Sequence, residues 1–138
     1  NILITGLGGS GIGGTIINEV IGDTCKVPLI INKDYFLPAF VNENTLLIIS
    51  SYSGNTEETL SAMQEGISKK AQIVCITSGG KVMELARQHQ YDFIEIPGGQ
   101  PPRSCIGYSL VQLINVLVAK EFADNKLFAQ LEKSITLL

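Results

Sequence analysis

Residues 50–60 read SSYSGNTEETL, between the apolar run TLLII (45–49) and a segment with helical periodicity. Ser51, Ser53 and Thr56 each carry a hydroxyl that can donate a hydrogen bond, and Gly54 lets the main chain come close to a ligand. A helix expected to begin near Asn55 adds unpaired first-turn N–H groups and the positive end of its dipole. Together these donors suit a phosphate ester. Asn55 with Glu58 also matches a capping box, which accounts for one amide and one carboxylate. It leaves Ser51, Ser53 and Gly54 without a structural duty. The loop has no cation, so a dianion would be held by neutral donors, each charge-assisted hydrogen bond contributing about 1.5–3 kcal/mol. Glu57 and Glu58 are then expected to face away from the ligand.

Three other stretches have similar chemistry. GLGGSGIGG, from Gly6, contains Gly6-x-Gly8-x-x-Gly11, the spacing of a dinucleotide-binding turn. The acidic residue such a site needs about twenty positions later could be Asp34, in Asn32-Lys33-Asp34. The alternative is that these glycines serve a tight turn and close helix packing. ITSGGKVMELA offers Thr77, Ser78, Gly79 and Gly80, but Val82 follows Lys81 where a triphosphate loop needs Ser or Thr. Lys81 therefore reads as a solvated residue at a helix start. IPGGQPPRSCIGYSL holds Arg103, one of two arginines, in a loop stiffened by prolines. It is placed to meet an anion or a developing oxyanion, or else to pair with a surface carboxylate.

The elements that must position these residues alternate along the chain. Strands are predicted at NILIT (from Asn1), VPLIIN (from Val27), TLLIIS (from Thr45), AQIVCIT (from Ala71) and DFIEIP (from Asp92). Four of the five are nearly continuous apolar runs, the pattern of strands covered on both faces. Helices are predicted between them, with Leu60, Met63 and Ile67 on one stripe and Val82 and Leu85 on another. His89, late in the second, reads as a cationic cap. A last helix, GYSLVQLINVLVAKEFA, is apolar nearly all round from Leu110 to Ala119, implying cover by the sheet and by a further domain or subunit. The expected fold is α/β: a three-layer αβα sandwich around a doubly wound five-stranded parallel sheet, flavodoxin-like in plan. In such folds ligands sit at the carboxyl ends of the strands, where all four loops emerge.

Composition narrows the class. With 138 residues, 45% hydrophobic and a net charge of -3, the chain can bury one core. Its ten basic residues form no stripe for nucleic acid or an anionic membrane, and no apolar run approaches membrane-spanning length. Cys25, Cys75 and Cys105 are odd in number and widely spaced, which argues for a reducing compartment and against a disulfide framework or zinc site. Cys75, inside IVCIT, reads as a small buried apolar group. The chain begins at Asn1 and ends in SITLL, and is expected to be a piece of a longer one.

GLGGSGIGG, KDYFLPAF, SSYSGNTEETL, ITSGGKVMELA and PPRSCIGYSL follow one another here as in the bifunctional phosphoglucose/phosphomannose isomerases, proteins of the sugar isomerase (SIS) domain class. The resemblance runs over nearly the whole chain. It implies that residues 1–138 are a single SIS domain, the amino-terminal one of two. It further implies a role in interconverting glucose 6-phosphate, and mannose 6-phosphate, with fructose 6-phosphate through an enediolate. By this similarity Gly9, Ser10, Ser51, Ser53 and Thr56 would bind the substrate phosphate, and Arg103 would stabilise enediolate charge as the catalytic residue. Thr15 departs from the family, whose members often carry Asp there. No metal or cofactor is implied, and the location would be cytoplasmic. The family's base (a Glu), ring-opening His and assisting Lys are expected outside this segment, from the second SIS domain or a homodimer partner. His89, Glu57, Glu58 and Glu84 are not expected to replace them. Two rivals stand beside this reading: a non-catalytic SIS module that senses a sugar phosphate, and a dinucleotide-dependent oxidoreductase.

Overall fold

The computed structural model describes residues 1–137. Five strands form one parallel sheet: β1 (Ile2–Thr5), β2 (Leu29–Asn32), β3 (Leu46–Ser51), β4 (Gln72–Thr77) and β5 (Asp92–Glu95), in the order β2-β1-β3-β4-β5. The intervening helices are α1 (Gly8–Ile21), α2 (Glu57–Ser68), α3 (Gly80–His89), α4 (Ile106–Ala119) and α5 (Lys126–Leu137), with a 3-10 turn at Pro102–Cys105. This is the doubly wound α/β sandwich expected from the alternation of runs. All five predicted strands lie where the apolar runs are.

Strand alternation explains why those runs are unbroken. Successive side chains point to opposite faces. Ile2, Ile4, Leu46, Ile48, Val74 and Ile76 pack on one side with α1 and α4, through Ile17, Leu113 and Leu117. Leu3, Leu47, Ile49, Ile73 and Cys75 pack on the other with α2 and α3, through Ala62, Met63, Val82 and Ala86. A strand buried on both faces has no position left for a polar residue until it reaches its end. The buried Cys75 thiol is pushed up to about 12 by desolvation, in keeping with an apolar role.

Two helices differ in detail from expectation. The fully buried face of α2 is Thr59, Ala62, Met63 and Gly66, with Leu60 and Ile67 half-buried at its flanks. The small residues let the helix close on the sheet: a Cβ on Gly66 would overlap the Leu47 side chain. The apolar circumference of α4 is covered partly within the chain, by α1, and a further helix, α5, that periodicity does not predict adds apolar residues to the same cluster. Leu127, Phe128 and Leu131 pack against the same cluster as Leu113 and Val116.

The segment after β2 has no regular structure yet is anchored. Leu37 and Val41 are buried, and the Leu37 N–H donates to Glu65 Oε2 at 2.8 Å. Lys69 Nζ lies 3.1 Å from Glu65 Oε1. The Leu37 amide first, and Lys69 with it, hold the Glu65 carboxyl below its ordinary pKa, partly opposed by desolvation. Glu65→Gln should therefore cost about 1 kcal/mol at neutral pH. A depressed folded-state pKa makes this contribution complete above the unfolded value, about 4.3, and lost as pH falls through the folded one. Urea denaturation at pH 7 and at pH 3 checks it, since the gap between wild type and variant should close at the lower pH.

Candidate functional site

The loops at the carboxyl ends of β1, β3, β4 and β5 meet at one rim. Ser10 lies in the first turn of α1, and its Oγ accepts the Tyr52 N–H at 3.1 Å. Ser51 closes β3; its Oγ accepts the Gly54 N–H at 3.2 Å and lies 3.4 Å from Thr56 Oγ1, where either hydroxyl can donate. Ser53 Oγ accepts the Asn55 N–H at 3.2 Å. In each serine the oxygen is held by a backbone amide while the hydroxyl hydrogen remains free to donate. Ser10 and Ser51 are buried and Ser53 is exposed, so the donors run from the sheet edge outward. Ser50 points to the opposite face of the strand; its buried hydroxyl has no partner among the described residues, and it takes no part in this cradle.

Two helix starts face the same rim. Thr56 is the N-cap of α2 but makes no side-chain cap bond, and Leu7 at the start of α1 cannot make one. The first-turn amides of both helices are therefore left for solvent or an anion. Asn55 does not form the capping box with Glu58 that their spacing predicts. Helix α2 starts two residues beyond Asn55, whose Oδ1 instead accepts the Lys81 N–H at 3.1 Å and so caps the neighbouring α3. Long-range packing won over local spacing because Gly54 and Gly80 bring the two loops into contact. Gly54 has φ +68°, and a Cβ on it would overlap the Gly79 carbonyl.

Arg103 reaches the rim from β5. The turn carrying it rests on α1: a Cβ on Gly9 would sit 3.0 Å from the Pro102 carbonyl oxygen. Gly9 thus serves first as the point where two loops touch. Arg103 is exposed and in no ion pair among the described residues, so the surface-pairing alternative has no partner here. A second cation comes from the end of β2, outside both donor loops. Lys33 Cε lies 3.9 Å from the Cβ position of Gly11.

The glycine spacing of the first loop has a packing role. Gly11 stands against the Gly6 carbonyl, 2.6 Å from a notional Cβ, and Gly14 against Ile4 and Ile31 at 3.1 and 3.3 Å. Asp34, the ribose candidate, has its Oδ1 engaged by the Tyr35 N–H at 2.7 Å. Tyr35 has its pKa raised by desolvation first and then by the carboxylates of Glu58 and Glu57. Thr77 is turned inward, its hydroxyl donating to the Gly79 carbonyl at 2.9 Å. His89 stacks on Tyr91 (centroids 5.6 Å apart) at the opposite end of α3 from the rim. No group of three His, Cys, Asp or Glu side chains among the described residues could hold a metal, and none of the described helices is long and apolar enough to cross a membrane.

Tyr52 was missed in the sequence, where it reads only as an aromatic among hydroxyls. Its ring is buried, and its hydroxyl accepts the Gln100 N–H at 3.0 Å.

Solved structures, phosphosugar isomerases among them, share this parallel α/β fold. Tagatose-6-phosphate ketose/aldose isomerase from Escherichia coli matches with a TM-score of 0.66 at 17% identity, over 91% of this chain and 38% of that one. The NanR protein of Vibrio vulnificus complexed with ManNAc-6P matches with a TM-score of 0.66 at 20% identity, over 99% of this chain and 56% of that one. No family model matches the chain. The bifunctional phosphoglucose/phosphomannose isomerase of Caldicellulosiruptor bescii is 52% identical over 117 residues, 85% of this chain and 34% of that protein. The protein of the same name from Thermoplasma acidophilum is 44% identical over 140 residues, 99% of this chain and 43% of that protein. The chain belongs to the bifunctional phosphoglucose/phosphomannose isomerase family, and it spans between about a third and a half of the length of these relatives.

Proposed function

We propose that this chain is the amino-terminal, phosphosugar-binding SIS domain of an aldose-ketose isomerase acting on glucose 6-phosphate and mannose 6-phosphate, with fructose 6-phosphate as the common product. The observation that carries the proposal is the convergence of Ser10, Ser51, Ser53 and Thr56 and two helix starts on the rim that also bears Arg103. In this reading the hydroxyls and the amides near Gly9 anchor the phosphate. The sugar then extends toward Arg103, whose guanidinium neutralises the oxygen that gains charge as a proton leaves C2 and returns at C1. The base, the ring-opening His and the assisting Lys come from the second SIS domain or a homodimer partner. The reaction needs no metal or cofactor, and the protein works in the cytoplasm.

Titration calorimetry on residues 1–138 tests the anchoring half. Glucose 6-phosphate or fructose 6-phosphate should bind weakly, inorganic phosphate should compete, and Ser51→Ala should weaken binding by about 10-fold or more, the loss of one charge-assisted bond. Isomerase turnover by this segment should be negligible. No binding of either sugar phosphate, or substantial turnover by the segment, would contradict the proposal. An NAD(P) or flavin titration should show nothing, and binding there would favour the oxidoreductase.

A second reading, a regulatory module that senses a sugar phosphate, is favoured by the fold shared with NanR, which is complexed with ManNAc-6P. In it the same cradle binds ligand and Arg103 supplies affinity alone.

A further inference from the structure

Four junctions build the rim, and one residue bonds to the other three from the fourth. Tyr52 lies between Ser51 and Ser53 in the loop after β3. Its N–H donates to Ser10 Oγ in α1 at 3.1 Å. Its carbonyl accepts the Ser78 N–H at 3.0 Å and the Ser78 hydroxyl at 2.6 Å, both from the loop after β4. Its phenolic oxygen accepts the Gln100 N–H at 3.0 Å, in the loop after β5. The ring itself packs in the core with Ile76, Ile96, Cys105 and Leu113.

A phenylalanine would fill that space equally well, so the hydroxyl is there for its bond. It holds a backbone amide three residues before Arg103. Pro101 and Pro102 lie between, with φ fixed by their rings, and transmit that anchor stiffly. On the other side of Arg103, Cys105 is buried against the same cluster as the Tyr52 ring. The thiol of Cys105 raises the phenol's pKa, the Gln100 amide opposing, so the hydroxyl keeps its proton at neutral pH. Arg103, exposed and without an ion pair among the described residues, thus lies between an amide bonded to Tyr52 and a cysteine buried in the same cluster as its ring.

We infer that Tyr52 is a positioning residue: through its hydroxyl on Gln100 it locks the Arg103 turn to the phosphate cradle, so that an anchored sugar phosphate meets the guanidinium in register. The inference rests on the isomerase reading above and adds to it a residue that touches neither phosphate nor sugar.

The test uses the full-length enzyme. Tyr52→Phe keeps the ring and the main-chain bonds and deletes only the acceptor for Gln100. We expect kcat to fall between about 10- and 100-fold, the usual cost of a displaced catalytic group. KM and the dissociation constant for inorganic phosphate should stay within about twofold, which a general loss of structure would not allow. In an Arg103→Ala background the same change should lower kcat less than about twofold, because the hydroxyl acts through that side chain. Gln100→Pro, which removes the same amide donor while leaving the tyrosine untouched, should reproduce the drop should Tyr52→Phe fold poorly. An unchanged kcat in Tyr52→Phe, in an enzyme that Arg103→Ala cripples, overturns the inference and leaves the isomerase reading standing. A full additional loss in the double variant overturns it likewise. Should Arg103→Ala itself leave kcat intact, the assignment of Arg103 and this inference fall together.

Discussion

Replacing Arg103 by alanine in the full-length protein should lower kcat for glucose 6-phosphate isomerisation by about 100- to 1000-fold while changing KM little. The expectation rests on where Arg103 sits: on the turn after β5 that is pressed against Gly9, exposed and unpaired among the described residues and so free to meet charge on a ligand. In the proposed reading, phosphate affinity comes from hydroxyls and amides on other loops, so a ground-state complex should survive the substitution. A guanidinium that matters only when an enediolate oxygen charges contributes to kcat and not to binding. Steady-state kinetics in both directions measures it. A rise in KM with kcat preserved would instead make Arg103 an affinity residue and support the sensing module.

The second large effect should come from Gly54→Ala. Two physical costs add at this position. A φ of +68° lies in the left-handed region, where a Cβ costs about 1–2 kcal/mol. The new methyl would also overlap the Gly79 carbonyl, and Thr77 Oγ1 stands 2.8 Å from the same point. The loops after β3 and β4 must then separate, breaking the Val82 N–H bond to the Gly54 carbonyl at 3.0 Å. A total loss of about 2–4 kcal/mol is expected, with Tm falling by roughly 5–15 °C. The amide of Gly54 also positions Ser51 Oγ, so phosphate affinity should drop more than about 100-fold. Calorimetric melting and phosphate titration on the same sample separate the two effects. Normal phosphate binding in a destabilised variant would show that the tight turn and the anion cradle are independent.

Much of the sheet was legible because burial on both faces demands unbroken apolar runs. Ile2 to Ile4, Leu46 to Ile49 and Ile73 to Ile76 carry that signature in the residues themselves. The hydroxyls of the loop after β3 stood out because a capping box does not call for Ser51, Ser53 or Gly54. The expectation that they lack a structural duty does not hold: Gly54 adopts φ +68° in a tight turn, and Ser51 and Ser53 Oγ each hold a backbone amide. Helix α5 was not legible, because its apolar residues Leu127, Phe128 and Leu131 cover one side of a short segment that has no buried residue. The face of α2 was read slightly off register, since Thr59 and Gly66 are buried for closeness of approach and hydropathy does not reward small residues.

Linear order was enough to establish which atoms could grip an anion and that they would emerge at strand ends, because those facts depend on side-chain chemistry and on nearest neighbours. It could not say which amide Asn55 would cap, which loop Gly9 would touch, or that a tyrosine among serines would tie four junctions together. Those partners lie 26, 93 and 48 residues apart along the chain for Asn55 with Lys81, Gly9 with Pro102 and Tyr52 with Gln100. Contacts over such separations follow from the order of strands in the sheet, and that order is settled by how whole helices pack, at no single position in the sequence.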